Sequence, residues 1–135
     1  MPPVDVDLPP EASSASLARA AVRSLLVGSP LPVDPQSIDR ALLLTSEVVT
    51  NAILHARTPM RLIAGVEGDQ VVVRVFDGLQ VAPRRRTYRQ DAGTGRGMHL
   101  VETLADDWGV DQTSAGKCVW FAVAVTAPVR AQQYG

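Results

Sequence analysis

The chain has 135 residues, of which 46% are apolar and 20% charged, and these values suit a single soluble globular domain. The net charge of −1 provides no overall basic field, so neither nucleic acid nor a membrane surface is an expected partner. A single cysteine, Cys118, excludes a disulfide framework within the chain and fits a reducing compartment. No stretch has the pattern of a signal peptide or a membrane span, and we therefore expect a cytoplasmic location.

The first part of the chain predicts an edge strand followed by two helices. Alternating Val and Asp residues among prolines in 1–12 are typical of a short edge strand. Three- and four-residue spacing predicts a helix over 14–26. Its buried face is expected to contain Leu17, Ala20, Ala21, Ser24 and Leu25. Asp34 followed by Pro35 predicts an N-cap with proline in the first turn, and this second helix extends to about residue 56.

The second part predicts two hairpins separated by a loop and a helix. Runs rich in β-branched residues at 60–66 and 70–76 surround a turn that contains Gly68. Residues 77–97 show little periodicity, and a loop of this length is usually functional or mobile. The remaining predicted elements are a helix over 98–105 and strands over 108–113 and 118–126.

Hairpin-connected strands favour a mostly antiparallel sheet, and the two major helices need an apolar face to cover. The predicted fold class is therefore α/β of the α+β kind, a two-layer sandwich with a mostly antiparallel mixed sheet and helices on one face. Neither an internal repeat nor an interdomain linker interrupts 1–135, so we expect one domain.

A polar stripe runs along the second predicted helix. Glu47, Asn51 and His55 are spaced by four residues and share one face of an otherwise largely apolar helix. A polar stripe on a nearly buried helix must hydrogen-bond to something. One interpretation is that it faces water or caps a loop. The other is a ligand site, for which Mg²⁺ held by an amide oxygen and phosphates is a better match than zinc.

An acid and a glycine follow the strand predicted over 70–76. The Asp77 carboxylate is suited to accept a hydrogen bond from an exocyclic amino group such as that of adenine. The competing interpretation is a plain turn, because Asp and Gly are both favoured in turns.

A glycine-rich segment leads directly into the third predicted helix. In the run Gly93, Thr94, Gly95, Arg96, Gly97 and Met98, the glycines would let backbone N–H groups approach a polyphosphate at a helix N-terminus. The spacing fits neither a phosphate loop of the GxxxxGK[ST] type nor a dinucleotide fingerprint. A plain flexible loop is the alternative. The preceding basic run, 84–86, is either a solvated loop or a lid whose charges meet phosphates.

Three features occur in an order and spacing that resemble the GHKL superfamily of ATPases and kinases: the polar stripe, the Asp77-Gly78 pair and the glycine-rich segment. Residues 46–55 match its N box, 75–78 its first glycine box and 93–101 its second, and the likeness covers roughly 12–125. Within the superfamily the chain is similar to the anti-sigma regulatory factor and serine-protein kinase group. The resemblance implies a histidine kinase-like ATPase domain with a Bergerat-type ATP-binding fold, a core over about 12–126 and an ATP lid over about 79–95.

The resemblance also implies a role for each matching residue. Glu47 would be the catalytic base on a partner's serine hydroxyl, and Asn51 would coordinate Mg²⁺ between the phosphates of ATP. Asp77, with Gly78 beside it, would bind the adenine amino group. The nucleotide phosphates would be lined by Gly93, Thr94, Gly95, Arg96, Gly97 and Met98. For His55 no chemistry is implied, and a structural role near the helix end is expected.

The expected function is that of a bacterial transcription regulator that phosphorylates a serine of an anti-sigma factor antagonist, with ATP and Mg²⁺, and binds a sigma factor. Homodimers formed through the N-terminal edge strand are a further expectation. Two departures from the family pattern favour an alternative, a non-catalytic ATP-binding module that acts by partner exchange alone. Leu79 stands where many members have glycine, and Cys118 stands early in the last strand, where many have threonine. A small ATPase is the third and weakest hypothesis.

Overall fold

The structure is a computed structural model that describes residues 2–79 and 96–126. Its helices and strands follow the predicted order. They are β1 (Val4–Leu8), α1 (Ser14–Val27), α2 (Pro35–His55), β2 (Met60–Glu67), β3 (Gln70–Asp77), α3 (Arg96–Leu104), β4 (Asp107–Gln112) and β5 (Lys117–Ala124). Most of the predicted loop over 77–97, including the expected lid, lies outside the described residues. None of the described helices is both long and apolar enough to cross a membrane.

The five strands form one sheet in the order β1-β2-β3-β5-β4. Each pairing between neighbouring strands of this sheet is antiparallel. The predicted hairpin between β2 and β3 is confirmed, and its turn contains Gly68 at φ 66°, a left-handed conformation that suits glycine. The edge position of β1 is confirmed as well. The fold class is thus the predicted α+β arrangement.

The helices cover one face of the sheet and enclose the core. On β3 and β5, the residues that point toward the helices are almost fully buried: Val71, Val73, Val75, Val119, Phe121 and Val123. Because side chains alternate along a strand, the next position in each series also points toward the helices. These positions are Asp77, at the end of β3, and Lys117, at the start of β5.

The buried face of α1 differs from the predicted one. Leu17 is 51% exposed, and Ser24 and Ala20 are exposed too, whereas Leu25 is buried as expected. The face that packs on β1 and α2 consists of Ser14, Ala18, Val22, Leu25 and Leu26. Helical spacing allowed two overlapping stripes of small and apolar residues, and tertiary packing selected the second one.

The start of α2 confirms the predicted N-cap. Asp34 has extended backbone angles, and its carbonyl accepts hydrogen bonds from the N–H groups of Ser37 and Ile38 at 3.0 and 3.1 Å. Its carboxylate accepts a hydrogen bond from the Ser37 hydroxyl rather than from the backbone. The Asp34 N–H donates to Val125 O at 2.7 Å, which connects the beginning of α2 to the chain just after β5.

Gly116, just before β5, lies against the backbone at the end of β3. A Cβ atom at this position would stand 2.0 Å from Asp77 O and 2.8 Å from Gly78 Cα, distances at which backbone must move. We therefore expect Gly116→Ala to lower the free energy of unfolding by about 3 kcal/mol or more, at the upper end of the range for overpacking substitutions. Urea unfolding measures this change in the free energy of unfolding. The matched control is Gly68→Ala, where no atom lies within 4 Å and only the positive φ is penalised, at about 1 kcal/mol. Equal losses in the two variants would contradict the close contact.

Candidate functional site

The polar stripe of α2 consists of three side chains with very different burial. Asn51 is 4% exposed, Glu47 is partly buried, and His55, the last residue of α2, is exposed. The side-chain Nδ2 of Asn51 is buried and has no hydrogen-bond partner among the described residues. A buried amide without a partner is costly, so this position is suited to a polar ligand. The structural role expected for His55 stays a prediction.

The end of α2 is held against the end of β3. Arg57 has φ 56°, a left-handed conformation that commonly follows the last turn of a helix. The next residue, Thr58, accepts a hydrogen bond at its Oγ1 from the Gly78 N–H, at 2.8 Å. Because of this contact, the helix that carries Asn51 and the strand that ends in Asp77 meet at one edge of the fold. Thr58 was not predicted as a site residue.

Asp77 is buried, and each of its carboxylate oxygens accepts a hydrogen bond. Oδ2 accepts from Lys117 Nζ at 2.5 Å, and Oδ1 accepts from the Leu79 N–H at 2.9 Å. The two side chains of the ion pair are each 1% exposed. Asp77 and Lys117 are also direct neighbours in the register of β3 and β5. The acid that the resemblance assigns to adenine is therefore bound to another side chain of the same protein.

Sequence reasoning did not identify Lys117. It is the only lysine in the chain, and the remaining Lys and Arg residues are all arginines. A lysine at the start of a strand is ordinarily expected to be exposed, so the unusual position is evident only from the register with Asp77. Removing one partner of a buried ion pair usually costs about 3–5 kcal/mol. A single hydrogen bond to a charged group contributes about 1.5–3 kcal/mol. An adenine amino group would thus have to share a carboxylate whose charge Lys117 already neutralises.

Cys118 does not face Asp77. It lies on the opposite face of the sheet, because side chains alternate along β5 and Lys117 occupies the helix-facing position. Burial raises the pKa of the Cys118 thiol to about 11, with a smaller contribution from the Asp111 carboxylate. The thiol is therefore protonated at neutral pH. The residue of β5 that lies beside Asp77 is therefore Lys117, not Cys118.

The glycine-rich segment is described only in part. Gly93, Thr94 and Gly95 lie outside the described residues, whereas Arg96 and Gly97 are the first two residues of α3. The predicted helix is confirmed, but it begins two residues before the predicted start at residue 98. Met98 is 1% exposed and belongs to the hydrophobic core, so any contact it makes with a phosphate would involve its backbone. α3 packs against α2, the helix that carries Asn51.

A cavity of about 320 Å³ also touches Asp77 and Gly78. Its other walls include Asp7, Arg61 and Phe76, which form one cross-strand row on the face of the sheet away from the helices. Asp77 points toward the helices and yet also lines this cavity, so the cavity lies at the edge of the sheet and adjoins the buried ion pair.

The two-layer fold, with a buried asparagine on the central helix and a buried acid at the end of the third strand, is that of a GHKL-type nucleotide-binding domain. The chain belongs to the histidine kinase-like ATPase domain family, whose sequence model matches residues 8–123. This membership implies ATP as the ligand.

The fold is also similar to that in the crystal structure of the RsbU and RsbW domains of Rv1364c from Mycobacterium tuberculosis, with a TM-score of 0.70 and 20% sequence identity. The similarity covers 95% of this chain and 34% of that chain, so the present chain spans about a third of its length. No match was found among curated proteins.

The two ends of the site differ in their fit to ATP. Asn51 is a buried amide whose Nδ2, a hydrogen-bond donor, has no partner among the described residues, and it fits an acceptor such as a phosphate oxygen. At the base end, Asp77 already has partners on both carboxylate oxygens. The described residues thus suit the polyphosphate better than the adenine.

Proposed function

We propose that the chain is an ATP-binding regulator that phosphorylates a serine of an anti-sigma factor antagonist and binds a sigma factor in the cytoplasm. The observation that carries this proposal is Asn51, a buried side chain whose amide nitrogen has no partner among the described residues. It lies one helical turn from Glu47, so a carboxylate and an amide share one face of α2. This is the arrangement that the kinase members of the superfamily are expected to use.

Three parts of the chain would contribute to the reaction: a metal ligand, a general base and backbone N–H groups that bind phosphate. Asn51 would hold Mg²⁺, which supplies neutralisation of the phosphate charge when bound. Glu47 would accept the proton of the serine hydroxyl while the serine oxygen forms a bond to the γ-phosphorus. The bond between that phosphorus and the β–γ bridging oxygen breaks, and ADP leaves. The backbone N–H groups of Gly95 and of Gly97, the second residue of α3, would line the phosphates.

Two observations support an anti-sigma role. The match to the N box and both glycine boxes resembles the anti-sigma regulatory factor group, and the similar structure from Mycobacterium tuberculosis contains a domain named RsbW. The partners themselves are proposed from these similarities and from no contact in the structure.

The test is a transfer assay with γ-labelled ATP, Mg²⁺ and a candidate antagonist protein. We expect label on the antagonist, and none on an antagonist whose acceptor serine is replaced by alanine. A folded chain that binds nucleotide but labels no cognate antagonist would contradict the kinase assignment. A folded chain that binds no nucleotide at all would contradict the nucleotide assignment as well.

The ion pair between Asp77 and Lys117 favours a second candidate function, a regulatory module that binds nucleotide weakly and acts by partner exchange. In that case the sigma factor or the antagonist would bind without phosphoryl transfer. Binding measured by isothermal titration with and without ATP, together with the transfer assay, distinguishes the two functions.

A further inference from the structure

One carboxylate of this fold has two competing partners. The resemblance assigns Asp77 to the exocyclic amino group of adenine, but in the structure its oxygens accept from Lys117 Nζ and from the Leu79 N–H. We propose that Lys117 masks Asp77 and thereby removes the preference of the nucleotide site for adenine over 6-oxopurines. The inference rests on the proposed function in one respect, namely that the chain binds a purine nucleotide.

The position of Lys117 depends on the backbone packing of β3 and β5 as well as on its ion pair with Asp77. The residue faces Asp77 directly in the β3–β5 register, and both side chains are 1% exposed. The preceding residue, Gly116, lies so close to the Asp77 and Gly78 backbone that a Cβ there would clash. The start of β5 is therefore packed closely against the end of β3, and this packing brings the ammonium group beside the carboxylate.

The hydrogen-bonding groups of Asp77 and Lys117 determine which purine base can bind beside them. An ammonium group has three hydrogen-bond donors and no acceptor, whereas an ionised carboxylate only accepts. Adenine presents an amino group, a donor, to the acid of this site, where Lys117 already neutralises the carboxylate charge and donates to Oδ2, and the Leu79 N–H donates to Oδ1. Hypoxanthine and guanine present an oxygen at the same ring position, and an oxygen is a partner for the ammonium rather than a competitor. An Asp77 carboxylate that is paired with Lys117 therefore does not favour adenine over 6-oxopurines as an unpaired carboxylate would.

The experiment compares the affinities of ATP and ITP, which differ at this ring position, by isothermal titration with Mg²⁺. For the wild-type chain we expect ITP to bind as tightly as ATP or more tightly. For Lys117→Met we expect the ATP-to-ITP preference to rise at least tenfold, which corresponds to about 1.4 kcal/mol. The double variant Asp77→Asn with Lys117→Met has neither charge and should lack this gain.

The wild-type comparison does not depend on the folding of any variant. A wild-type preference for ATP of more than about tenfold would overturn the inference and leave the proposed nucleotide binding intact. An unchanged preference in folded Lys117→Met would overturn it too. Failure of the folded wild-type chain to bind ATP, ADP or ITP would overturn the proposed function, and this inference with it.

Purified chain labelled with ¹⁵N-lysine provides an independent measurement, because Lys117 is the only lysine and gives a single side-chain ammonium signal. We expect this signal to persist, protected from exchange with water, at saturating MgATP. Loss of the signal or of its protection on addition of MgATP, but not of MgITP, would show that adenine displaces Lys117, contrary to the inference.

Discussion

Replacement of Glu47 by alanine is expected to reduce phosphoryl transfer to the antagonist by about 10²–10⁴-fold, the usual contribution of a positioned general base. Nucleotide affinity should change little, because the proposed ligand of the metal and phosphates is Asn51, one turn away. Glu47 is partly buried, so truncation leaves no large cavity in the core. Single-turnover transfer from labelled ATP measures the rate, and titration with MgATP measures the affinity.

Two further variants make the Glu47 result interpretable. Glu47→Gln keeps the size of the side chain but lacks its basicity, and it should be nearly as slow as Glu47→Ala. Glu67→Ala removes an exposed acid at the far end of β2, where it pairs with Arg74, and it should transfer phosphate at the wild-type rate. Normal transfer by Glu47→Ala would exclude the base role. Equal loss of nucleotide binding and transfer would instead indicate that Glu47 supports the site structurally.

Replacement of Lys117 by methionine is expected to lower the free energy of unfolding by about 3–5 kcal/mol, since it leaves the Asp77 carboxylate buried without its cation. Asp77→Asn should be costly for the converse reason, because it leaves a buried ammonium. The double variant removes both charges, so it should recover most of the loss. Urea unfolding of the four proteins completes a double-mutant cycle and isolates the coupling.

The matched control for this cycle is the ion pair between Arg74 and Glu67. It involves the same strand and has an N···O distance of 3.0 Å, but its side chains are 40% and 55% exposed. Because solvent screens an exposed ion pair, the coupling energy between Arg74 and Glu67 should be about 0–1 kcal/mol. Two results would contradict a strong buried ion pair. One is that the losses of unfolding free energy at Asp77 and Lys117 are additive, and the other is that the two cycles give equal coupling energies.

Much of this fold could be predicted because its signals are local. The proline at the start of α2 and the Gly68 turn mark element boundaries, and hairpin connectivity alone favoured an antiparallel sheet. The buried face of α1 could not be predicted, because Leu17 and Ala18 lie on overlapping stripes of similar hydrophobicity. Only packing against other elements distinguishes them.

The candidate site shows the same division. The polar stripe that contains Asn51 was conspicuous on an apolar helix, but the role of Asn51 came from the family resemblance and not from the stripe alone. The burial of Asn51 is compatible with that role. Lys117 and Thr58 were not predictable, since each acts through a contact with residues distant in sequence, Asp77 and Gly78. Strand register determines which side chain of β5 meets Asp77, and a shift of one residue would have placed Cys118 there.

A chain with one lysine has one peptide bond that a lysine-specific protease can cleave, and here that bond joins Lys117 to Cys118 at the start of β5. Cleavage requires the strand to leave its place between β3 and β4. Digestion by such a protease therefore reports the opening of this one strand, without interference from fraying elsewhere. Any ligand or partner protein that holds the centre of the sheet closed will be detected as slower proteolysis at a single, known site.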